Sequence, residues 1–223
     1  MAAAIAHEIN NPLAAVTNLL FLAKETKGLP EATSQLLEIA DAELRRVAHI
    51  AQQSLGFYRE SNAPALTSVS TVLDSVLDLL KNRINEKHAI IDKQWNGDVE
   101  ISAVAGELRQ IFSNLVSNGL DAIDEGGTIK VRVSAGKNCV RVTLADDGKG
   151  IPAGTIKHIF EPFFTTKDSV GTGLGLWVSQ QMIEKHGGKI QVRSSSDGLR
   201  RGTTFSVVLP MRRTPAEGVL AVA

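Results

Sequence analysis

The chain has a single cysteine, few aromatic residues (4%) and no net formal charge. One thiol, Cys139, excludes an intrachain disulfide and a cysteine-based metal site, which fits a reducing compartment. It falls in an alternating stretch and reads as a buried strand residue. With so few rings, the core must rest on Leu, Ile, Val and Ala. No Lys/Arg run exceeds an adjacent pair (Arg45-Arg46, Arg200-Arg201, Arg212-Arg213). That leaves no electrostatic case for general nucleic-acid binding or for direct membrane contact by this segment. No apolar run approaches a membrane span, and the start lacks a signal peptide's charged leader. What remains is an ordinary globular composition, 43% hydrophobic and 22% charged over 223 residues, enough for one large domain or two small ones.

The most informative stretch lies at the start, Ala6-His7-Glu8-Ile9-Asn10-Asn11-Pro12-Leu13. Ile5, Ile9, Leu13, Val16 and Leu20 recur at steps of three and four, the spacing of a buried helical stripe. At about 100° per residue, His7 falls nearly opposite the centre of that stripe, Asn11 shares its outward face and Glu8 stands on the flank. Pro12 has no N–H for the carbonyl of Glu8, so the helix is expected to kink or loosen there. An outward imidazole beside a carboxylate on a weakened helix has what a nucleophile needs. A key residue in the first two turns would fray. An upstream element is therefore expected, making this the C-terminal part of a longer protein.

Residues 1–60 read as a helical hairpin. The first helix runs to about Lys27, and Gly28-Leu29-Pro30 marks the turn. The second carries Leu37, Ala40, Leu44, Val47, Ala51, Ser54 and Tyr58 in alternating steps of three and four. Two such helices cannot bury both stripes alone. Pairing with a second copy as a four-helix bundle is the economical solution, and packing against the rest of the chain is the alternative.

Residues 61–66 read as a linker, after which helix and strand signals mix. Helices are expected over 69–86, 105–124 and about 173–186, and strands near 89–95, 128–135, 139–146, 189–195 and 203–209. A glycine-rich loop region covers 147–173, and the tail at 211–223 reads as disordered. The fold class is therefore α+β: the hairpin, then an α/β sandwich over 67–210 whose mixed or antiparallel sheet is covered by helices on one face.

Three constellations in the second part carry chemistry. The 105–124 helix places Gln110, Asn114, Asn118 and Asp121 on one side and Leu108, Ile111, Phe112, Leu115 and Ile123 on the other. Asn and Asp are poor helix-interior residues. The row is either a solvated face or a set of oxygen donors for a hard cation such as Mg²⁺. Asp146-Asp147-Gly148-Lys149-Gly150 follows an alternating strand. It is either an ordinary Asp-Gly turn or a carboxylate poised for an exocyclic amine, with glycines that let the backbone approach a planar ring. Gly171-Thr172-Gly173-Leu174-Gly175-Leu176 opens a helix and can form an anion site from backbone N–H groups. It fits neither the dinucleotide fingerprint nor a Walker motif. Between the last two, Phe160 to Lys167 holds three of the seven phenylalanines, the anchor of a hinged lid or a small satellite core.

In order, HExxNPL, NLxxNxxDA, DxGxG, FEPFFTTK and GTGLGL resemble the H, N, first-glycine, F and second-glycine boxes of the sensor histidine kinases of two-component signalling. The resemblance runs from about residue 1 to 210. The second domain is also similar to the wider superfamily of gyrase and MutL ATPases, which lack the His7 hairpin. The resemblance implies that His7 is the phosphoacceptor attacking the γ-phosphorus of ATP, with Glu8 as the adjacent base that orients the imidazole. Asn11 matches a position that in many such kinases places water for dephosphorylating the partner regulator. Asn118 matches the Mg²⁺ ligand, and Asn114 sits one turn before it, where the related ATPases carry a catalytic Glu. Asp146 matches the reader of the adenine amine. Gly148, Gly150, Gly171, Gly173 and Gly175 match the hinge and phosphate-cradling glycines, with Thr172 and Leu174 in the same motif.

The resemblance further implies a homodimer through residues 1–60, a response-regulator receiver domain as partner, and a cytoplasmic location. Gly119 replaces the usual Ala after the second Asn. Asp121 stands where many members have Lys; the Asp-Ala version resembles the nitrogen-regulator type and leaves Lys167 as the better candidate for a phosphate contact. His49, His88, His158 and His186 match no catalytic position. Two other functions stay open at this point: a scaffold that binds ATP without transferring phosphate, and a plain ATPase. The intact His7-Glu8 pair argues against the first, and Asn rather than Glu at 114 against the second.

Overall fold

The computed structural model describes residues 15–20, 22–24, 26, 29–41, 44, 63–97, 99–166, 173–197 and 201–211. The chain divides into two units, Met1–Asn62 with Thr165–Leu174, and Ala63–Phe164 with Gly175–Ala223.

In the first unit, helix α1 is described at 15–20 and 22–24, and helix α2 at 31–41. Proline suits a helix start because its missing N–H is one the first turn cannot use. Pro30 stands just before α2, and its carbonyl accepts the N–H groups of Thr33 and Ser34. Lys24 on α1 pairs with Asp41 on α2 at 3.2 Å. Val16, placed in the buried stripe by its spacing, is 44% exposed in this single chain, and Leu19, Leu22, Leu36 and Ile39 are all above 60%. These five apolar side chains are left uncovered, whereas Leu20, Leu37 and Leu44 are half-buried. His7, Glu8, Asn11 and the expected Pro12 kink lie outside the described residues, as do most of the second helix and the tail at 212–223.

The second unit begins with strand β1 (Ala65–Ser68), so the last two residues of the expected linker are paired backbone. Ser68 then caps α3 (Val69–Leu79), its hydroxyl accepting the N–H of Thr71 at 3.2 Å. Val69, Val72, Leu73 and Val76 form the buried stripe. The single helix expected over 69–86 is broken at Leu80 (φ −92°, ψ 5°), and α4 (Lys81–Glu86) follows. Next come β2 (Ile90–Trp95), β3 (Glu100–Ala103), α5 (Ala105–Ala122), β4 (Thr128–Ala135) and β5 (Cys139–Asp146). α6 (Gly175–Lys185), β6 (Lys189–Ser195) and β7 (Gly202–Pro210) close the fold. β1 and β3 were not legible as strands. They are four residues each, too short for alternation to register, and they pair only with one another, antiparallel.

The main sheet has the order β2-β4-β5-β7-β6, with β2 parallel to β4 and every other pair antiparallel. Of the two arrangements expected, the mixed one is found. Alternation sorts the strands cleanly: Ile129, Val131, Val133, Val140, Val142, Leu144, Phe205, Val207 and Leu209 are buried on the inner face, under α5 and α6. Lys130, Arg132, Arg141, Lys189 and Arg193 stand exposed on the outer one. Cys139, expected to be buried, is half-buried because it opens β5 opposite Pro210. The apolar side of α5 is buried as its period requires: Leu108, Ile111, Phe112, Leu115 and Ile123 are at most 2% exposed.

α6 runs antiparallel to α5. Its first residue, Gly175, meets Asn114, and its end meets the buried Glu107, whose carboxylate lies 2.5 Å from Lys185 Nζ and 2.8 Å from His186 Nε2.

Candidate functional site

Asp146 is the last residue of β5, where the sheet ladder stops and the chain turns away from it. Its Oδ1 accepts two backbone N–H groups, from Gly148 at 3.0 Å and Thr203 at 3.1 Å. The first closes an Asx turn, and the second fixes the carboxylate against β7. Both bonds fall on one oxygen, so Oδ2 keeps its acceptor capacity. Burial pushes the Asp146 carboxyl above the ordinary aspartate range, and the neighbouring Asp147 adds to the shift. The N–H groups of Gly148 and Thr203 pull the other way without cancelling it.

The loop after Asp146 is pressed against two neighbours. A Cβ built on Gly148 would lie 2.4 Å from the carbonyl oxygen of Ala122, at the end of α5, and the N–H of Lys149 donates to that same oxygen at 3.0 Å. Gly150 has φ +70°, and a Cβ there would lie 2.0 Å from the carbonyl oxygen of Ser195. The following N–H, of Ile151, donates to Ser194 Oγ at 2.7 Å. Gly119 lies beneath the carboxylate, and a Cβ on it would sit 3.8 Å from that of Asp146. The structure therefore brings Asp146 and Gly148 to the C-terminal half of α5, the half that carries Asn114 and Asn118, while Gly150 packs on the end of β6.

Asn114 and Asn118 are half-buried. Asn114 spends both amide hydrogens on α6, donating to the carbonyl of Gly175 and to Ser179 Oγ at 3.2 Å each. Gly173 has φ +66°, and Leu174 is buried. Lys167, Gly171 and Thr172 lie outside the described residues. Of the three phenylalanines in the preceding stretch, Phe163 has φ +67° and is 67% exposed, so it is no part of a satellite core. Phe164 rests against His158, ring centroids 5.8 Å apart.

Two residues of this region escaped the sequence reading. Thr203 is 4% exposed, and its hydroxyl pairs with Ser194 Oγ at 2.9 Å. Its signal was present: Thr203, Phe205, Val207 and Leu209 share one face of a strand, so a polar residue occupies an inward position. Arg83 on α4 was the other; it donates to Ser117 and Asp121.

The site fits a purine nucleotide. A desolvated carboxylate with a spare oxygen matches an exocyclic amine, and the glycines after it hold the loop close against Ala122 and Ser195, where any Cβ would clash. Asn118 offers a hard amide oxygen, and among the described residues no three His, Cys, Asp or Glu side chains cluster to hold a metal by themselves. Such a donor set suits Mg²⁺ shared with water and phosphate oxygens.

Comparison with known proteins decides the family. Residues 1–62 match the model of the His Kinase A (phospho-acceptor) domain, and residues 103–213 that of the histidine kinase-, DNA gyrase B- and HSP90-like ATPases. The chain belongs to the sensor histidine kinases. This kinase core is 34% identical over 215 residues to sporulation kinase A of Bacillus subtilis, covering 95% of this chain and 34% of that protein. Full-length ShkA, solved in complex with AMPPNP, superposes with a TM-score of 0.69 at 25% identity, covering 96% of this chain and 46% of that one. Histidine kinase ThkA, solved in complex with the response regulator protein TrrA, gives a TM-score of 0.64 at 27% identity over 95% of this chain and 61% of that one. The chain spans less than half the length of the curated relatives it matches.

Proposed function

We propose that this chain is an ATP-dependent protein-histidine kinase core that phosphorylates itself on His7 and passes the phosphoryl group to an aspartate of a response-regulator receiver domain. The observation that carries the reading is the Asp146 carboxylate, held by one oxygen and open at the other, set against the Asn114–Asn118 half of α5.

The division of labour follows from the chemistry. Asp146 Oδ2 accepts from the adenine amino group, and the Gly148 and Gly150 backbone lies along the ring. The N–H groups opening α6, with Gly171, Thr172, Gly173, Leu174 and Gly175, receive phosphate oxygens together with Lys167. Asn118 holds Mg²⁺, which when bound neutralises phosphate charge. Asn114 positions the start of α6 through Gly175. A ring nitrogen of neutral His7, oriented by Glu8, forms a bond to the γ-phosphorus as the bond to the ADP oxygen breaks. The receiver's carboxylate then attacks phosphorus, and the N–P bond breaks to return the imidazole. Asn11 places water for a separate task, hydrolysis of the regulator's phosphoaspartate to aspartate and inorganic phosphate.

The exposed Val16, Leu19, Leu22, Leu36 and Ile39 support dimerisation through residues 1–60 into a four-helix bundle. In this reading 61–66 is the linker, 67–210 the ATP-binding domain and 211–223 a tail, and the core works in the cytoplasm.

Incubation with γ-labelled ATP and Mg²⁺ tests the reading. The expected product is an acid-labile, base-stable phosphoprotein that vanishes in His7→Ala. Free phosphate without labelled protein would mark an ATPase instead, and ATP binding with neither product a scaffold.

A further inference from the structure

Arg83 lies near the middle of α4 and reaches α5 with a two-pronged grip: Nη1 donates to Ser117 Oγ and Nη2 to Asp121 Oδ1, each at 2.5 Å. Ser117 and Asp121 are four apart, so one planar guanidinium spans the turn of α5 that also holds Asn118. Two of the five guanidinium N–H groups are thereby used, and the side chain is still 43% exposed. That leaves three N–H groups of a part-exposed guanidinium that could serve a ligand at that end of α5.

The charge balance there is informative. Asp121 continues the carboxamide row toward the helix C-terminus, where the helix dipole is already negative. An unneutralised carboxylate one turn beyond Asn118 would repel a polyphosphate chain. Arg83 cancels that charge and adds unspent donors in a geometry suited to phosphate oxygens. A surface clamp between two helices would explain the ion pair, but an exposed pair of this kind stabilises a fold little. Lys167 is thus not the sole basic candidate for a phosphate contact.

We propose that Arg83 is a phosphate-binding residue of the nucleotide site, a cation supplied from α4 because position 121 on α5 carries an acid. This rests on the reading of the Asn118–Asp146 region as the ATP site.

Calorimetric titration of the full chain with ATP, ADP and adenosine tests it, using wild type, Arg83→Gln, Arg83→Lys, Asp121→Asn and Asp146→Asn. Arg83→Gln should weaken ATP and ADP by about tenfold or more, the size of one charge-assisted hydrogen bond, and leave adenosine within about twofold. It should also flatten the salt dependence of ATP binding, which a structural clamp would not touch. Arg83→Lys should recover part of the loss. Asp121→Asn should hold or improve ATP affinity, since it removes a negative charge near the phosphates. Equal loss for adenosine and ATP, or Asp121→Asn reproducing the Arg83→Gln defect, would overturn the assignment in favour of a clamp. Wild-type ATP binding that Asp146→Asn leaves intact would count against the nucleotide reading itself. Absence of ATP binding to the wild type would overturn both.

Discussion

The side-chain amide of Asn114 donates to the carbonyl oxygen of Gly175, joining the middle of α5 to the first residue of α6 across 61 positions of sequence. A second bond from the same amide nitrogen reaches Ser179 Oγ, one turn further along α6. The start of α6, where backbone N–H groups face outward, is therefore held by a residue of the carboxamide row.

Asn114→Ala should loosen that start. Two part-buried hydrogen bonds are lost, each worth about 1 kcal/mol net, so urea unfolding should show a loss of about 1–2 kcal/mol. ATP-dependent labelling of His7 should fall further than stability alone explains, because the N–H groups at Gly175 lose their fixed direction. Labelling that tracks the folded fraction would leave Asn114 a purely structural link.

Asp146→Asn should stabilise the fold while abolishing nucleotide affinity. The folded-state pKa of Asp146 is raised by burial. Ionisation therefore costs more in the folded state than in the unfolded chain. The wild type is relatively most stable below the ordinary aspartate value of about 3.9, and it loses stability as pH rises from there through the raised folded value. Asparagine stays neutral throughout. The variant's melting midpoint should exceed the wild type's at neutral pH, and the gap should close on acidification. Affinity fails for a separate reason: with Oδ1 held by Gly148 and Thr203, the amide would aim its NH₂ at a donor. Differential scanning calorimetry across pH, beside a nucleotide titration, checks both halves.

Gly150→Ala should be severe and Gly154→Ala silent. At Gly150 a Cβ would sit 2.0 Å from the carbonyl oxygen of Ser195 with φ +70°, whereas at Gly154 nothing lies within 4 Å. Backbone cannot step aside as a side-chain tip can. The first variant should lose about 3 kcal/mol or more, and the second stay within about 0.5 kcal/mol. Melting curves of the pair decide it, and equal midpoints would contradict the packing of this loop.

Much of the fold was legible because the signals were local. β4, β5 and β6 occupy the expected 128–135, 139–146 and 189–195, since alternation over seven or eight residues is self-evident. The buried and polar sides of α5 followed from its 3.6-residue period. The break at Leu80 escaped because no proline or glycine marks it. At the site, Asp146 and the glycines stood out by spacing, but Thr203 and Arg83 did not, because their partners are remote in sequence.

The sequence by itself determined the longer elements, the face that α5 and the alternating strands would bury and the order of the motifs, because each depends on neighbours within a turn or a strand. Tertiary structure decided which residues meet. Thr203 comes to Asp146 across 57 positions and Arg83 to Asp121 across 38, and neither pairing leaves a periodic trace along the chain. The five cations on the outer sheet face, scattered between positions 130 and 193 in a chain without net charge, share a side only once β4, β5, β7 and β6 are aligned. Periodicity tells a residue which way to point. Only the sheet register and the helix packing say what it will find there.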